Sequence, residues 1–183
     1  MKFRDIIIIV CVALTIFLVT RVVVQNYVVD GQSMDPNLAT GQWILVNKLA
    51  YKSGTPQRGD IIVFNNPKPN NNVKVLIKRV IGLPGETVKI EGGEVYIIVK
   101  DADPSDDGAL LTESYLTETT PNNKSWIVPD DHYFVMGDNR NNSYDSRMIG
   151  SISKSSIIGK AWLRIWPFSK WGYAPNYRPV LED

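Results

Sequence analysis

The sequence predicts a mostly-β domain, a barrel or sandwich, carried behind one N-terminal apolar helix. Two observations lead there. From Trp43 onward, short apolar runs recur between Gly- and Pro-containing breaks, which is the pattern of an all-β fold. Ahead of them lies Ile6 to Val24, nineteen residues in which only Thr15, Thr20 and Arg21 are polar. A chain of 183 residues with 44% hydrophobic content is long enough for one domain with a core of its own.

The apolar run is justified first. As a helix it spans roughly 28 Å, about the hydrocarbon thickness of a bilayer. A cleavable leader needs a shorter apolar core and a small-residue cleavage site. Here the run continues into Val22-Val23-Val24-Gln25-Asn26-Tyr27-Val28-Val29, with no small pair. The expectation is an uncleaved transmembrane anchor over 6–24. Residues 1–5, with Lys2 and Arg4, form a short cytoplasmic tail, and 25–183 an extracytoplasmic domain. Arg21 would snorkel to the far interface, Tyr27 would sit among headgroups, and the single cysteine, Cys11, would face lipid.

The strands follow in order. Trp43–Asn47 and Asp60–Phe64 are short apolar runs, separated by turn material from Lys52 to Gly59. Asn65–Asn72 is a polar loop. Val73–Gly82 alternates, with Val73, Val75 and Ile77 on one face and Lys74, Leu76 and Lys78 on the other. Leu83-Pro84-Gly85-Glu86 is a turn, and Thr87–Lys100 a hairpin about Gly92-Gly93. Asp101–Ser125 is acidic and aperiodic, a long excursion from the core. Trp126–Met136 returns to strand, Gly137–Gly150 is loop, and Gly159–Trp166 is a last strand before an aromatic tail.

Composition excludes several functions. Lys+Arg 20 against Asp+Glu 19 gives no basic footprint for nucleic acid. One cysteine and one histidine, His132, do not make a zinc site of the usual kind, so no metal and no cofactor are expected.

Three stretches carry chemistry. Gly31-Gln32-Ser33-Met34-Asp35-Pro36 holds one hydroxyl in a segment that neither helix nor strand can run through. Taken alone, Ser33 reads as a hydrogen-bonded turn serine. Lys78, in Leu76-Ile77-Lys78-Arg79-Val80, is a lysine inside an apolar strand. An edge lysine that discourages aggregation is the ordinary reading. The other is a desolvated amine, whose descent from ~10.4 to about 7–8 costs roughly 3–4 kcal/mol and makes sense where a neutral base is needed. Gly137-Asp138-Asn139-Arg140-Asn141-Asn142-Ser143-Tyr144-Asp145-Ser146-Arg147 is too rich in short hydrogen-bonding side chains for a simple turn.

Together, in this order and behind an apolar run, Ser33-Met34, Arg58-Gly59-Asp60-Ile61-Ile62-Val63-Phe64, Lys78-Arg79 before Gly82-Leu83-Pro84-Gly85-Glu86, and the Gly137–Arg147 block resemble the bacterial type I signal peptidases, in particular the small Gram-positive-like type. The resemblance covers nearly the whole chain from Ile6. It implies a signal-peptidase/LexA-like β-barrel or coiled β-sheet, and a serine endopeptidase with a Ser-Lys dyad that removes signal peptides after small residues. Ser33 matches the nucleophile and Lys78 the general base. Ser143 matches the serine that orients the lysine amine. Asp145 and Arg147 match a supporting pair, and Asp138 and Asn139 hold the loop. The backbone N–H of Ser33 would serve the oxyanion; where some members add a serine side chain two positions earlier, this chain has Gly31. Implied partners are signal peptides of secretory preproteins and the lipid bilayer, with the chain monomeric.

Such a substrate would add as a strand beside Val28–Asp30 and Val75–Ile77, its small side chains entering shallow pockets lined by Val29, Met34, Leu38, Leu76 and Ile77. His132, in a polar turn entering a strand, is expected at the surface and not as the base. Ser151-Ile152-Ser153-Lys154 matches an S-x-x-K pattern without its companion elements, a coincidence. In the tail, Trp162 and Trp166 are expected in the core, and Phe168, Trp171 and Tyr173 against the bilayer surface. The rivals are a LexA-like self-cleaving Ser-Lys protein, which carries a DNA-binding or soluble arm in place of a span, and an anchored, non-catalytic peptide-binding β-domain.

Overall fold

A computed structural model describes residues 3–69, 73–100 and 107–182. Met1 and Lys2 of the expected tail, Asn70–Asn72 of the polar loop and Asp101–Asp106 of the excursion lie outside the described residues. Helix α1 runs Phe3–Val23 and passes directly into strand β1, Val24–Val28. Its described apolar side chains up to Val22, Ile6 to Val10 among them, are exposed. Among the described residues, no helix is long and apolar enough to cross a membrane.

The rest is β. Strands β2 (Trp43–Asn47), β3 (Ile61–Asn65) and β4 (Val75–Gly82) follow. The hairpin β5 (Thr87–Glu91) and β6 (Glu94–Ile98) turns at Gly92-Gly93 as its sequence predicts. Then come β7 (Ala109–Thr112), β8 (Lys124–Ile127), β9 (His132–Met136), the short helix α2 (Ser146–Ile149), β10 (Ile152–Ser153), β11 (Ile157–Trp166), β12 (Gly172–Tyr173) and β13 (Val180–Glu182). Two sheets result. One has the order β1-β2-β11-β3-β4-β9-β10, with β12 added to β11; the other has the order β13-β7-β6-β5-β8.

The first sheet buries both faces near its centre. Ile61, Val63, Ile44 and Val46 pack on one side, and Ile62, Phe64, Val80 and Val135 on the other. Strand β3 is therefore a continuous apolar run and not an alternating one. The second sheet has a core of its own around Val88, Ile90, Ile97 and Leu111, joined by Phe134 and Met136 from β9.

Three expectations need correction. The region after Asp101 is no detached excursion where it is described: β7 bridges β6 and β13, and Tyr115 and Thr120 are buried. Trp126–Met136 is two strands, since Pro129 and the turn to His132 interrupt it. Trp162 and Trp166 lie outside the core, 43% and 47% exposed. Ala161 holds an inward position of β11, but the pairing with β2 shifts register between Ala161 and Leu163 and again between Arg164 and Trp166, which leaves Trp166 opposite the exposed Trp43.

Candidate active site

The site forms where a strand pairing runs out. Strand β4 is paired with β3 along Val75–Arg79, but with β9 only from Arg79 onward. Lys78 is thus the last residue before β9 begins to cover that edge. Since β9 ends at Met136, opposite Arg79, the Gly137 loop leaves the sheet beside Lys78. Ser33 arrives from the other side, on the turn that follows β1.

Local conformation fixes each part. Gly31 has φ +89, which a side chain would strain. Met34 and Leu38, joined by Leu38 N–H to Met34 C=O at 2.9 Å, are fully buried and anchor the turn in the core. The N–H of Asn139 donates to the Ser33 carbonyl at 3.1 Å, tying the turn to the loop. Gly137 is obligatory: a Cβ there would stand 2.3 Å from both the Ser33 carbonyl oxygen and Ser143 Oγ. Among the described residues, the Ser33 N–H donates to no protein group.

The Lys78 Nζ donates to Ser33 Oγ at 2.5 Å, and the lysine is only 2% exposed. Burial lowers its pKa to about 8; the charges of Asp145 and Asp138 pull it back up, and Arg147 adds to the lowering. A usable fraction of the amine is therefore neutral near physiological pH.

A shell of buried ion pairs holds the loop. Asp145 caps α2 and accepts from the Gly137 N–H at 3.0 Å and from the Arg147 side chain at 2.8 and 2.9 Å. Burial opposes the Asp145 charge, but Arg147 and the Gly137 N–H outweigh it and hold the carboxyl below its ordinary value. Asp138 receives Arg79 through two bonds, 2.8 and 2.7 Å, and Asn37 Nδ2 at 2.9 Å. Asn139 Oδ1 accepts from the Asn142 N–H at 3.0 Å.

The expected residues divide accordingly. Ser33, Lys78, Asp138, Asn139, Asp145 and Arg147 are brought together. Ser143 is near, close enough to Asp145 to favour its charge, yet its buried Oγ makes no hydrogen bond of proper geometry, to Lys78 or to any other described group. The expected lysine–serine contact is therefore absent from this structure. Val29, Leu76 and Ile77 line a cleft of about 450 Å³ that opens on Ser33 and Lys78. Met34 and Leu38 do not: they lie in the core beneath it, packed with Ile44 and Ile61. His132 sits with Nδ1 on the Asp130 carbonyl at 2.9 Å and bonds to neither Ser33 nor Lys78.

Sequence reasoning missed Arg79, Arg140, Glu113 and Asn37. Arg140 is buried and clasps Glu113 through two bonds of 2.6 Å while its Nε donates to the Gly137 carbonyl at 3.0 Å. Arg79 also lies under the stacked rings of Tyr115 and Tyr177, 4.1 Å from the first ring centre. The available signal was Arg79 itself, a second cation in a strand that has no room for one.

Chemically, a neutral amine on a hydroxyl can take that hydroxyl's proton as it attacks a carbonyl. The cleft beside an open strand edge suits an extended peptide. These features define a serine-type endopeptidase. The chain belongs to the signal peptidase family, peptidase S26, whose family model matches residues 3–166. Signal peptidase IB of Staphylococcus aureus is 36% identical over 174 residues, spanning 90% of this chain and 88% of that one. A probable signal peptidase I-2 of Synechocystis is 36% identical over 165 residues, 88% of this chain and 71% of that one. The crystal structure of a signal peptidase I from Enterococcus faecalis is 35% identical, with a TM-score of 0.47, covering 58% of this chain and 96% of that one.

Proposed function

We propose that this chain removes signal peptides from secretory preproteins, cutting after small residues, with Ser33 as nucleophile and Lys78 as general base. The observation that carries it is the 2.5 Å bond from a buried, pKa-lowered Lys78 amine to Ser33 Oγ. The peptide adds as a strand beside Val28–Asp30 and Val75–Ile77, and small side chains enter between Val29, Leu76 and Ile77. Ser33 Oγ attacks the scissile carbonyl and Lys78 takes its proton. The Ser33 N–H faces the oxyanion. The lysine then protonates the departing amine, leaving an acyl group on Ser33. Lys78, neutral again, takes a proton from the water that releases the signal peptide. Asp138, Asn139, Asp145 and Arg147 hold this geometry.

The same reading makes α1 a single-pass anchor, with 1–5 inside and 25–183 outside the cytoplasm, the chain acting as a monomer. Its support is the exposed apolar surface of α1 and a second apolar surface formed by Trp43, Trp166, Phe168 and Trp171, where Phe168 stacks on Trp171 and meets Trp166 edge-on in the open. That surface would rest on the bilayer where signal peptides emerge.

The test is cleavage of a secretory preprotein by the detergent-solubilised full chain, beside Ser33→Ala and Lys78→Ala. The expected result is a cut after a small residue by the wild type, and loss of roughly 10⁴-fold or more in both folded variants. Cutting by Lys78→Ala would overturn the base assignment. Ile77→Ala should relax the preference at the third-last residue of the signal peptide.

A further inference from the structure

We propose that a basic pocket at the foot of α1 binds the phosphate of an anionic phospholipid headgroup. The proposal rests on the reading of α1 as a membrane anchor. The pocket, about 460 Å³, is lined by Val22, Lys48, Tyr51, Lys52, Lys154 and Ile158, among others. Its position follows from the fold: Lys48 N–H donates to the Val23 carbonyl at 2.9 Å, fixing Lys48 beside the last turn of the helix. Lys154 comes from the end of β10, its N–H on the Asp131 carbonyl at 2.8 Å.

Three lysines thus line one concavity, and among the described residues none of them makes an ion pair. The carboxylate that Tyr51 contacts, Asp60, is already held by Lys160 at 2.6 Å. Like charges gathered without a counterion repel one another, and an anion bound among them removes that cost. Where a spanning helix leaves the hydrocarbon, the anion at hand is a lipid phosphate, and lysines at this depth are drawn to it. Val22 and Ile158 supply an apolar wall for the glycerol end of the lipid. Strands β2 and β11 carry this pocket near one end and the aromatic surface at the other. One bilayer surface would then meet both, with rings in the acyl boundary and lysines among phosphates.

The test is native mass spectrometry of the full chain in detergent, with phosphatidylglycerol, phosphatidylcholine and inorganic phosphate as probes. One phosphatidylglycerol should bind at least about tenfold better than phosphatidylcholine. Each lysine near an anionic surface is worth a factor of about five. Lys52→Gln alone should therefore weaken binding about fivefold, and Lys48→Gln/Lys52→Gln/Lys154→Gln roughly a hundredfold. The pair Lys89→Gln/Lys124→Gln, on the second sheet, should leave binding unchanged. Cleavage of a short soluble peptide by the triple variant, expected at the wild-type rate, shows that it is folded. Equal binding of both lipids, or undiminished binding by Lys52→Gln and the triple variant, overturns the proposal. Displacement by equimolar inorganic phosphate overturns the lipid assignment in favour of a free-anion site. Carbonate extraction from vesicles separates the two readings: a chain that washes out refutes the anchor, whereas a resistant chain without lipid preference refutes only the pocket.

Discussion

The loop that holds the candidate site and the five-stranded sheet behind it use charge in opposite ways. Around Gly137–Arg147, three ion pairs are dry: Arg79–Asp138, Arg140–Glu113 and Arg147–Asp145 have side chains no more than 6% exposed. On the second sheet the pairs are wet: Lys89–Glu91 and Lys100–Asp130 expose 23–78% of their side chains, and the interior is apolar. Burying an ion pair rarely adds net stability, but removing one partner afterwards is costly. The first region thus spends free energy on geometry, because the Gly137 backbone must stand against Ser33 and Lys78 within a few tenths of an ångström. The second only has to be folded.

The contrast is testable, beginning with its largest effect. Lys78→Met should abolish preprotein cleavage, by roughly 10⁴-fold or more in kcat/KM, while the protein still unfolds cooperatively and at no lower temperature; a variant that still cuts would detach the buried amine from catalysis. Next, Arg140→Met should lower stability by roughly 3–5 kcal/mol by leaving Glu113 buried without its partner, as read by denaturant unfolding. A loss below about 1 kcal/mol would mean that the loop stands without this pair.

The third concerns pH. The pKa of Lys78 falls from 10.5 to about 8 on folding, so between those values the unfolded chain binds more protons. Stability therefore rises with pH across that window and is reduced below it, by an amount on the order of 3 kcal/mol. Lys78→Met should recover much of this near pH 7 and flatten the pH dependence of unfolding. In the wild type, kcat/KM should rise with pH to a plateau above about 8. A lysine left at its ordinary value would put that limb near 10.5 instead. Smallest of all, Lys100→Ala should change stability by no more than about 0.5 kcal/mol; a larger loss would remove the distinction between the two regions.

What could be read from the chain follows the range of the interactions. Trp43–Asn47, Ile61–Asn65 and the hairpin at Gly92-Gly93 were legible because each is set by neighbours within a few residues. Ser33, Lys78 and the Asp138–Arg147 stretch stood out because polar groups in such places need a reason. Glu113 pairs with Arg140 across 27 positions, and nothing local marks either residue. Strands β7 and β13 are short, and Leu111 is buried only because distant segments cover it. Met34 and Leu38 show a different limit: an apolar residue beside a nucleophile reads the same whether it walls a cleft or lies beneath it. Trp162 and Trp166 failed because β11 shifts register beside each of them, and no local pattern announces such an irregularity.

The open edge of β4 also has a bearing on self-association. A strand edge left without a partner is open to another copy of itself, and exposed edges are where chains join into aggregates. Lys74 lines the cleft at this edge, the exposed Pro67-Lys68-Pro69 precedes it in the chain, and strand β1 exposes Gln25 and Asn26. Prolines that donate no hydrogen bond, a charged side chain and amides that prefer water make the gap unwelcoming to a second rigid β-edge. An extended single chain with small side chains still fits. The same few residues thus help keep one copy of the domain from pairing with another while its sheet is left open.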